Sequence, residues 1–517
     1  MALDALRNPI IPGLNPNPSC VCVSGTYYLV SASLLYFPSI PVYTSVDLVE
    51  WKNVGYVCTR PSQLDTKDCN LKPGTPWPGG ICAATIRYHG GVFYVTATLV
   101  YGDKQPTDSS RWQNFLFTCT DPTKHEWSDP LQIDFMGYDT SLFFDDNGKA
   151  YLQGLSCSRA KPEIQQMEID FATGNSPRGS PKTLWKPESG TYIEGPHMYR
   201  NDGFYYLLFS EGEDSNTLGT ALMRSSTPWG PFDSSVSPLL PSPPNVLRPT
   251  GHTELVHSPT GWLALFASPR QGTEVSSLGP EAHLLPLTWP SGEWPTLGPA
   301  LPVNTPTQTT TDVLALPPLA STSLPLSVLT IRAPPPASPY RRIGPSLILR
   351  SDEIPLPTAE SPSLILLPQR RQRSTWHFIL AWPGNGPSYD VGPIFEGGVT
   401  VYLDWKRHVD FAIIRNLVWT GQARVRIVGP QCTVSGRLDI DLPARLRVET
   451  FKDGYEFWAM HKGEWKKIDV VDVGLVSGDR YGGVAIGPFL TSHEAIEMYV
   501  QEWKVETHEE LEGKTSD

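Results

Sequence analysis

The feature that most constrains the fold of this chain is a hairpin signature that recurs five times between residues 8 and 298. Each copy has a short apolar run, a turn containing glycine and an aromatic-rich run. The turn glycines are Gly25, Gly90, Gly148, Gly203 and Gly261. Glycine adopts the positive φ angles that tight hairpin turns need, so each copy predicts a β-hairpin.

The spacing of these hairpins, roughly 55 to 65 residues, is close to the length of a four-stranded propeller blade. Residues 1–298 are therefore predicted to form a five-bladed β-propeller. A closed ring also leaves few exposed sheet edges. The alternative is a β-sandwich in which the five hairpins recur by coincidence.

The second half of the chain predicts a separate all-β domain, because 517 residues are too many for one ordinary core. Residues 299–325 are rich in Pro and Thr, which predicts an extended linker. Short strand-like runs then resume and predict a β-sandwich over residues 326–508. Residues 509–517 are predicted to be a polar tail.

Charge and cysteine usage exclude several classes of partner and site. The net charge is −12, and the only dense basic cluster surrounds Gln372, so nucleic acid and anionic membranes are disfavoured as partners and a neutral ligand is favoured. The eight cysteines lack the spacing of a structural zinc site. We see no signal-peptide pattern and no apolar run of membrane-spanning length, so a cytoplasmic location is expected. A trimmed precursor would give the same pattern.

Four motifs, which follow one another along the first half, resemble glycoside hydrolase family 43. They are Asn15-Pro-Asn17-Pro-Ser19, Gly137-Tyr-Asp139-Thr-Ser, Ile193-Glu194-Gly-Pro-His197 and Gly251-His252-Thr-Glu. In the second half, the runs 364–372 and 397–402 resemble the concanavalin-A-like C-terminal domain of the β-xylosidase branch of that family.

The resemblance implies an activity and a set of roles. The family cleaves β-xylosides or α-L-arabinofuranosides with inversion, which needs an acid on one face of the sugar and a base with a water on the other. Glu194 matches the general acid, and Asp139 matches the carboxylate that orients this acid and raises its pKa. His252 matches a central histidine that holds a water or a metal, for which calcium is the candidate. No other cofactor is implied.

Three positions depart from the family pattern. Asn17 stands where the family has the aspartate that acts as general base, and an amide does not readily take a proton. Pro280 replaces an arginine that binds sugar hydroxyls beside Glu281. Cys82 replaces a tryptophan that stacks on the sugar ring. By the same resemblance, Phe37, Cys82, Pro280 and Glu281 are assigned to the substrate-binding positions.

Three functions follow as alternatives. The first is a glycosidase acting on terminal xylose or arabinose residues of plant-type polysaccharides, with activity altered by Asn17. The second is a carbohydrate-binding pseudoenzyme, and the third is a protein-interaction scaffold. Asn17 alone does not decide between them, because a galactan-cleaving branch of the family also lacks the base carboxylate. Glu281 could also serve as the base if it turned inward.

Overall fold

The computed structural model divides the protein into two compact units, which are described separately below. The first unit comprises residues 1–272 and 280–304, and the second comprises residues 273–279 and 305–517. The residues that the structure describes are 6–66, 79–105, 107–157, 162–187, 191–213, 217–234, 239, 251–270, 276–299, 301, 310–313, 327–331, 340–343, 346–351, 363–382, 395–404, 406–415, 422–428, 433–440, 442–477, 482–492 and 496–508.

The first unit contains five four-stranded antiparallel sheets, each built from consecutive strands of the chain. Sheet 1 has β1 (Ser19–Val23), β2 (Thr26–Val30), β4 (Ser39–Ser45) and β5 (Lys52–Cys58), with the short β3 (Tyr36–Phe37) between β2 and β4 in sequence. Sheet 2 has β6 (Gly80–His89), β7 (Val92–Val100), β8 (Trp112–Cys119) and β9 (Leu131–Ile133). Sheet 3 has β10 (Gly137–Phe144), β11 (Ala150–Ser156), β12 (Glu163–Glu168) and β13 (Lys182–Trp185).

The other two sheets repeat this order. Sheet 4 has β14 (Tyr192–Asn201), β15 (Phe204–Gly212), β16 (Gly219–Ser225) and β17 (Asp233–Ser234). Sheet 5 has β18 (Glu254–Ser258), β19 (Gly261–Ser268), β20 (Glu281–Thr288) and β21 (Thr296–Leu297). Two 3-10 turns, Ser109–Arg111 and Pro122–Lys124, flank β8. In every sheet the predicted hairpin joins the first two strands.

Near the start of the first strand of each sheet lies a residue with positive φ, either within the first four residues of the strand or two residues before it. These residues are Asn17, Ala83, Asp139, Gly195 and His252, with φ between 49° and 58°. In β6, β10 and β14 the pairing register shifts at this point, as in a β-bulge. Left-handed backbone is uncommon outside glycine, and bulges redirect side chains at the ends of strands. The five positive-φ residues therefore occupy equivalent positions, near the start of the first strand in each of the five sheets.

Hydrogen bonds between these first strands connect neighbouring sheets. The links are Ile86 N to Ser19 Oγ, Thr85 Oγ1 to the Thr140 carbonyl, Ser141 Oγ to the Pro196 carbonyl, and Leu255 N to Tyr199 Oη. The N-terminal segment also joins sheet 5, because Ile10 N donates to the Ala282 carbonyl at 2.8 Å. Sheets 1 to 5 are thus connected through buried polar contacts as well as through the chain.

The second unit contains two larger antiparallel sheets. One has β22 (Thr310–Val313), β24 (Tyr340–Ile343), β25 (Ser346–Arg350), β28 (Ser374–Ala381), β33 (Ala444–Thr450), β34 (Gly454–His461), β35 (Glu464–Asp472) and β37 (Glu497–Thr507). The other has β26 (Ser363–Leu364), β27 (Leu367–Pro368), β29 (Phe395–Asp404), β30 (Arg407–Arg415), β31 (Gln422–Val428), β32 (Thr433–Asp439) and β36 (Ala485–Ser492). The short β23 (Thr330–Ile331) and a 3-10 turn, Val473–Leu475, complete the described elements.

Apolar side chains from both of these sheets form one buried cluster. Phe411 of β30 and Phe457 of β34, for example, meet edge-to-face with their ring centroids 5.4 Å apart. Such contacts bury the apolar face of each sheet, which is the main favourable term in folding.

The prediction of an all-β chain is confirmed. Within the predicted linker, the structure describes β22 and little else, and the predicted polar tail, residues 509–517, lies outside the described residues. In the part of the chain that the structure describes, no helix has the length and apolar character needed to cross a membrane.

Candidate active site

The carboxylate of Asp139 joins three sheets at the marked strand ends. Its Oδ2 accepts a hydrogen bond from Gly195 N at 3.1 Å and lies 3.1 Å from His252 Nε2. The backbone N of Asp139 donates to Thr98 Oγ1 at 3.2 Å, which fixes the left-handed turn of β10. A Cβ on Gly195 would lie 2.9 Å from Cγ of His252, so only glycine permits this close approach.

Glu194 and Asp139 both lie within electrostatic range of the Tyr138 phenol. Glu194 directly precedes Gly195 in β14 and is 3% exposed. Burial raises the pKa of Tyr138 well above its usual value, and the charges of Asp139 and Glu194 act in the same direction. Two carboxylates within electrostatic range of one buried side chain can take different protonation states, as general acid chemistry requires.

Asn17 is buried on the loop that leads into β1. Its Oδ1 accepts a hydrogen bond from Ala83 N at 3.3 Å, which places it beside Cys82, a half-buried residue of β6. A carboxylate at position 17 could accept the same hydrogen bond. Phe37, another residue assigned to a substrate-binding position, is buried in β3. The strand that carries Cys82, β6, is connected to β10 by the hydrogen bond from Thr85 Oγ1 to the Thr140 carbonyl. Among the described contacts, no direct bond joins Asn17 to Asp139.

Glu281 is fully buried and bound to an arginine that the sequence analysis missed. Arg270 Nε donates to Oε2 and Arg270 Nη2 donates to Oε1, both at 2.9 Å, in a bidentate pair. Gly13 N donates to Oε1 at 3.0 Å, and Asn15 N donates to the neighbouring Pro280 carbonyl at 2.8 Å. Both oxygens of Glu281 are therefore engaged, and a guanidinium lies near position 280 even though that residue is proline. Arg270 follows β19 within the sequence Ser-Pro-Arg-Gln-Gly, which carries no recognisable signal.

A second cluster of buried polar side chains lies along the first strands of sheets 2, 4 and 5. Arg87 Nε of β6 donates to the Leu142 carbonyl of β10 at 3.0 Å, and Arg87 Nη2 lies 3.4 Å from His197 Nδ1 of β14. Arg87 Nη1 donates to the carboxylate of Glu254 in β18. We call Arg87, His197 and Glu254 the inner-strand cluster. The sequence signal for this cluster was present, because each of the three residues interrupts an apolar strand.

Burial sets the protonation of the inner-strand cluster. Burial lowers the pKa of His197 well below its usual value, and the charge of Arg87 lowers it further. Burial raises the pKa of Glu254, while Arg87 opposes that shift. A neutral imidazole beside a guanidinium–carboxylate pair is the arrangement that these shifts favour.

The residues around His252 do not fit a metal ion. The described residues contain no group of three or more His, Cys, Asp and Glu side chains arranged to hold one. His197, whose ring centroid is 6.4 Å from that of His252, already faces the positive charge of Arg87. Calcium needs six to eight oxygen ligands, which the groups described around His252 do not supply.

Comparison of the sequence with known proteins identifies relatives of the first unit. Residues 6–295 match the family described as Glycosyl hydrolases family 43. The chain is 34% identical over 319 residues to a non-reducing end alpha-L-arabinofuranosidase of Bacteroides ovatus, a match of 58% of this chain and 54% of that protein. It is 30% identical over 312 residues to a beta-xylosidase of Bacillus subtilis, a match of 56% of each chain. The matched region thus spans about half the length of these curated relatives.

Solved structures resemble almost the whole chain. A GH43B protein of a Bacteroides ovatus xyloglucan PUL superposes with a TM-score of 0.82 at 27% identity and covers 97% of this chain and 99% of its own. A xylan beta-1,4-xylosidase of Bacillus halodurans gives the same TM-score and coverage at 24% identity, which shows a shared fold. The resemblance read from the sequence motifs is confirmed, and this chain belongs to glycosyl hydrolases family 43.

Proposed function

We propose that this protein is a glycoside hydrolase that releases terminal xylose or arabinose residues from plant-type saccharides by an inverting mechanism. The observation that carries the proposal is the position of Asp139, which holds Gly195 N and His252 Nε2 at 3.1 Å each and so fixes the backbone beside Glu194. The matching relatives are named as an alpha-L-arabinofuranosidase and a beta-xylosidase, which supports a pentoside substrate.

The proposal includes a closed ring of the five sheets, a five-bladed propeller, followed by a β-sandwich. Arg87 supports the ring, because one guanidinium from sheet 2 bonds to groups of sheets 3, 4 and 5. A second support is the pairing of Ile10 with Ala282, since it ties the start of the first unit to its last sheet. The Phe411–Phe457 contact supports the sandwich, because it joins the two sheets of the second unit.

In this mechanism Glu194 donates a proton to the leaving glycosidic oxygen. Asp139 orients the Glu194–Gly195 backbone, and a carboxylate beside the acid disfavours ionisation of that acid. Water must attack from the opposite face, where Asn17 can hold it by hydrogen bonds without taking its proton. We therefore expect turnover to be slow. Arg270, which is bound to Glu281, supplies the positive charge that Pro280 cannot.

The main alternative is a carbohydrate-binding pseudoenzyme. Two observations favour it: the base position is an amide, and Glu281, the other candidate base, already accepts hydrogen bonds from Arg270 and Gly13. Under this alternative the pocket would bind a saccharide without cleaving it. Neither version includes a metal in our proposal, because the described residues contain no group of side chains arranged to hold one. The cytoplasmic location stays a prediction.

A panel of aryl pentosides and galactosides, together with xylose- and arabinose-containing oligosaccharides, tests the proposal. We expect slow release of a terminal pentose by the wild type and none by Glu194→Gln. Binding of the same compounds, measured by thermal stabilisation, separates the two candidates. Binding without release that depends on Glu194 would establish the pseudoenzyme, and a protein that neither binds nor cleaves any member would contradict both.

A further inference from the structure

A short piece of the second unit is inserted into the sequence of the first. Residues 273–279 belong to the second unit, although the chain on both sides of them belongs to the first. The residues that flank this insertion include Arg270 and Glu281, which form the bidentate pair described above. The structure describes residues 276–279 of the insertion, and all four are buried. We call residues 276–279 the inserted segment.

The second unit holds the inserted segment by backbone and side-chain hydrogen bonds. Val484 N, just before β36, donates to the Ser277 carbonyl at 2.7 Å. The hydroxyl of Tyr455 in β34 is hydrogen-bonded to the Ser277 side chain, and it donates to Gln369 Oε1 at 3.2 Å. Tyr455 is fully buried, so the loss of its hydrogen bonds would leave polar atoms unsatisfied away from water.

Gly279 fixes the backbone at the point where the chain returns to the first unit. Its φ is +71°, a conformation that favours glycine. A Cβ at this position would lie 2.6 Å from the carbonyl oxygen of Gly482 and 2.9 Å from Cα of Gly483. Both are backbone atoms, which cannot rotate away as a flexible side chain can. The position of the next residue, Pro280, therefore depends on close packing within the second unit.

Pro280 and Glu281 in turn hold the loop that carries Asn17. Asn15 N donates to the Pro280 carbonyl at 2.8 Å. Gly13 N donates to Glu281 Oε1 at 3.0 Å. Two backbone amides of this loop are thus bonded to two consecutive residues that directly follow the inserted segment. Both amides lie just before position 17, where the family has its general base.

Arg270 directs the Glu281 carboxylate toward that loop. Its guanidinium binds both carboxylate oxygens at 2.9 Å, and such a bidentate pair fixes the plane of the carboxylate. Oε1 is shared between Arg270 Nη2 and Gly13 N, so the carboxylate is bonded to the loop as well as to the arginine. The pair is therefore placed to orient the loop of Asn17, in addition to any contact with a sugar.

We infer that the inserted segment is a positioning element, through which the second unit fixes the place of Asn17. Tyr455 and Gly279 are positioning residues in this scheme, because they act through the segment and through the residues that follow it. The inference rests on the proposed function, since it takes Asn17 to occupy the base position. It gives the second unit a role in the reaction that requires none of these residues to touch the substrate.

Hydrogen–deuterium exchange of the full chain, measured by mass spectrometry, tests the structural part of this inference. The peptide of residues 10–18 suits the measurement, because its three prolines leave few amides besides those of Gly13 and Asn15. Gly279→Ala should speed the exchange of these amides by about two- to ten-fold, the effect of losing one hydrogen bond. Exchange in β2 should not change, since its amides are bonded within sheet 1.

Gly292→Ala is the matched control for Gly279→Ala. Gly292 also has a positive φ, +74°, but among the described residues a Cβ there would meet no neighbouring atom within 4 Å. The two variants therefore share the backbone strain and differ in the clash within the second unit. Tyr455→Phe is a milder second test, because it removes only the hydroxyl. Its control is Ser374→Ala, which removes a buried hydroxyl elsewhere in the same sheet.

Steady-state kinetics in the Asn17→Asp background distinguish positioning from stability. Tyr455→Phe should lower kcat there by about ten-fold with a smaller change in KM, because a general base must be held close to its water. In the Asn17→Ala background the same change should have little effect, since no side chain remains to be positioned. A loss of stability alone would lower activity alike in both backgrounds.

The exchange and kinetic results separate this inference from the proposed function. Unchanged exchange of the peptide 10–18 in folded Gly279→Ala and Tyr455→Phe, or equal acceleration throughout sheet 1, would overturn the inference, while release of a pentose by Asn17→Asp would still support the proposed function. Equal effects of Tyr455→Phe on kcat in the two backgrounds would overturn it as well. If the peptide exchanges faster but no form of the protein releases a sugar, the proposed function is wrong, and only the link between the inserted segment and the loop stands.

Discussion

Asp139 Oδ2 is shared between Gly195 N and His252 Nε2, each at 3.1 Å, so one carboxylate oxygen in sheet 3 fixes backbone in sheet 4 and a side chain in sheet 5. Such a shared acceptor explains why three motifs more than 50 residues apart act as one site. A carboxylate that accepts two hydrogen bonds at once stays oriented. Its negative charge disfavours ionisation of the neighbouring Glu194.

Asp139→Asn should lower kcat by about 10² to 10⁴ if Asp139 supports the general acid. The amide keeps the shape of the side chain but removes the negative charge, so Glu194 ionises more easily. The basic limb of the pH–rate profile should therefore move to lower pH, which steady-state kinetics on an aryl pentoside would measure. Asp145→Asn is the control, since Asp145 is a buried carboxylate just beyond the far end of β10, where it binds Tyr205. A normal pH profile in Asp139→Asn would contradict this role.

Asn17→Asp should raise kcat by about 10² to 10⁴ without a comparable change in KM. The hydrogen bond from Ala83 N at 3.3 Å can be accepted equally by a carboxylate, so the variant should need no rearrangement of the loop. The added group would take the proton of the attacking water. Asn17→Ala is the comparison, and it should be no faster than the wild type. If Asn17→Asp is as slow as Asn17→Ala, a missing base is not what limits this protein.

Arg87→Met should destabilise the first unit by about 3 to 5 kcal/mol, because it leaves the Glu254 carboxylate buried without its partner. The double variant Arg87→Met/Glu254→Leu should recover much of that loss, since both charges are then gone. Urea unfolding of the two variants would measure both effects, and Arg178→Met is a control at an exposed arginine. Added calcium should not restore the stability of Arg87→Met, because the described residues near His197 lack a set of metal ligands. Equal stabilities of the single and double variants would contradict the pairing.

Much of the fold and part of the site were accessible from the sequence. The hairpins were predictable because a turn glycine and an alternating apolar pattern act locally, and the motifs around Asp139, Glu194 and His252 were recognisable as blocks of sequence. Arg270 was not, since it lies just beyond β19 and its importance depends on which residue the fold places opposite it. The engagement of Glu281 by Arg270 is likewise invisible from spacing, because it requires the two residues to meet across the connection between β19 and β20.

The buried imidazole of His283 should make the first unit less stable in acid. Burial and the neighbouring charge of Arg270 lower the pKa of His283 to about 3, whereas an unfolded histidine has its usual value near 6.5. Between these values the unfolded chain binds a proton that the folded protein does not. The stability from this group is therefore complete above about pH 6.5 and falls by up to about 1.4 kcal/mol per pH unit as the pH drops.

The His283→Gln variant isolates this contribution. It should unfold more easily than the wild type at pH 8, because Gln cannot replace the ring that stacks on Phe266 with centroids 5.8 Å apart. Between pH 6 and 4, the slope of its free energy of unfolding against pH should nevertheless be smaller than that of the wild type. The difference in slope should correspond to close to one bound proton. Burial also lowers the pKa of His197 and raises the pKa of Glu254, but both groups are present in both proteins, so their contributions cancel in the difference. Parallel pH curves for the two proteins would mean that His283 is protonated in the folded state, which its burial and the neighbouring charge of Arg270 should prevent.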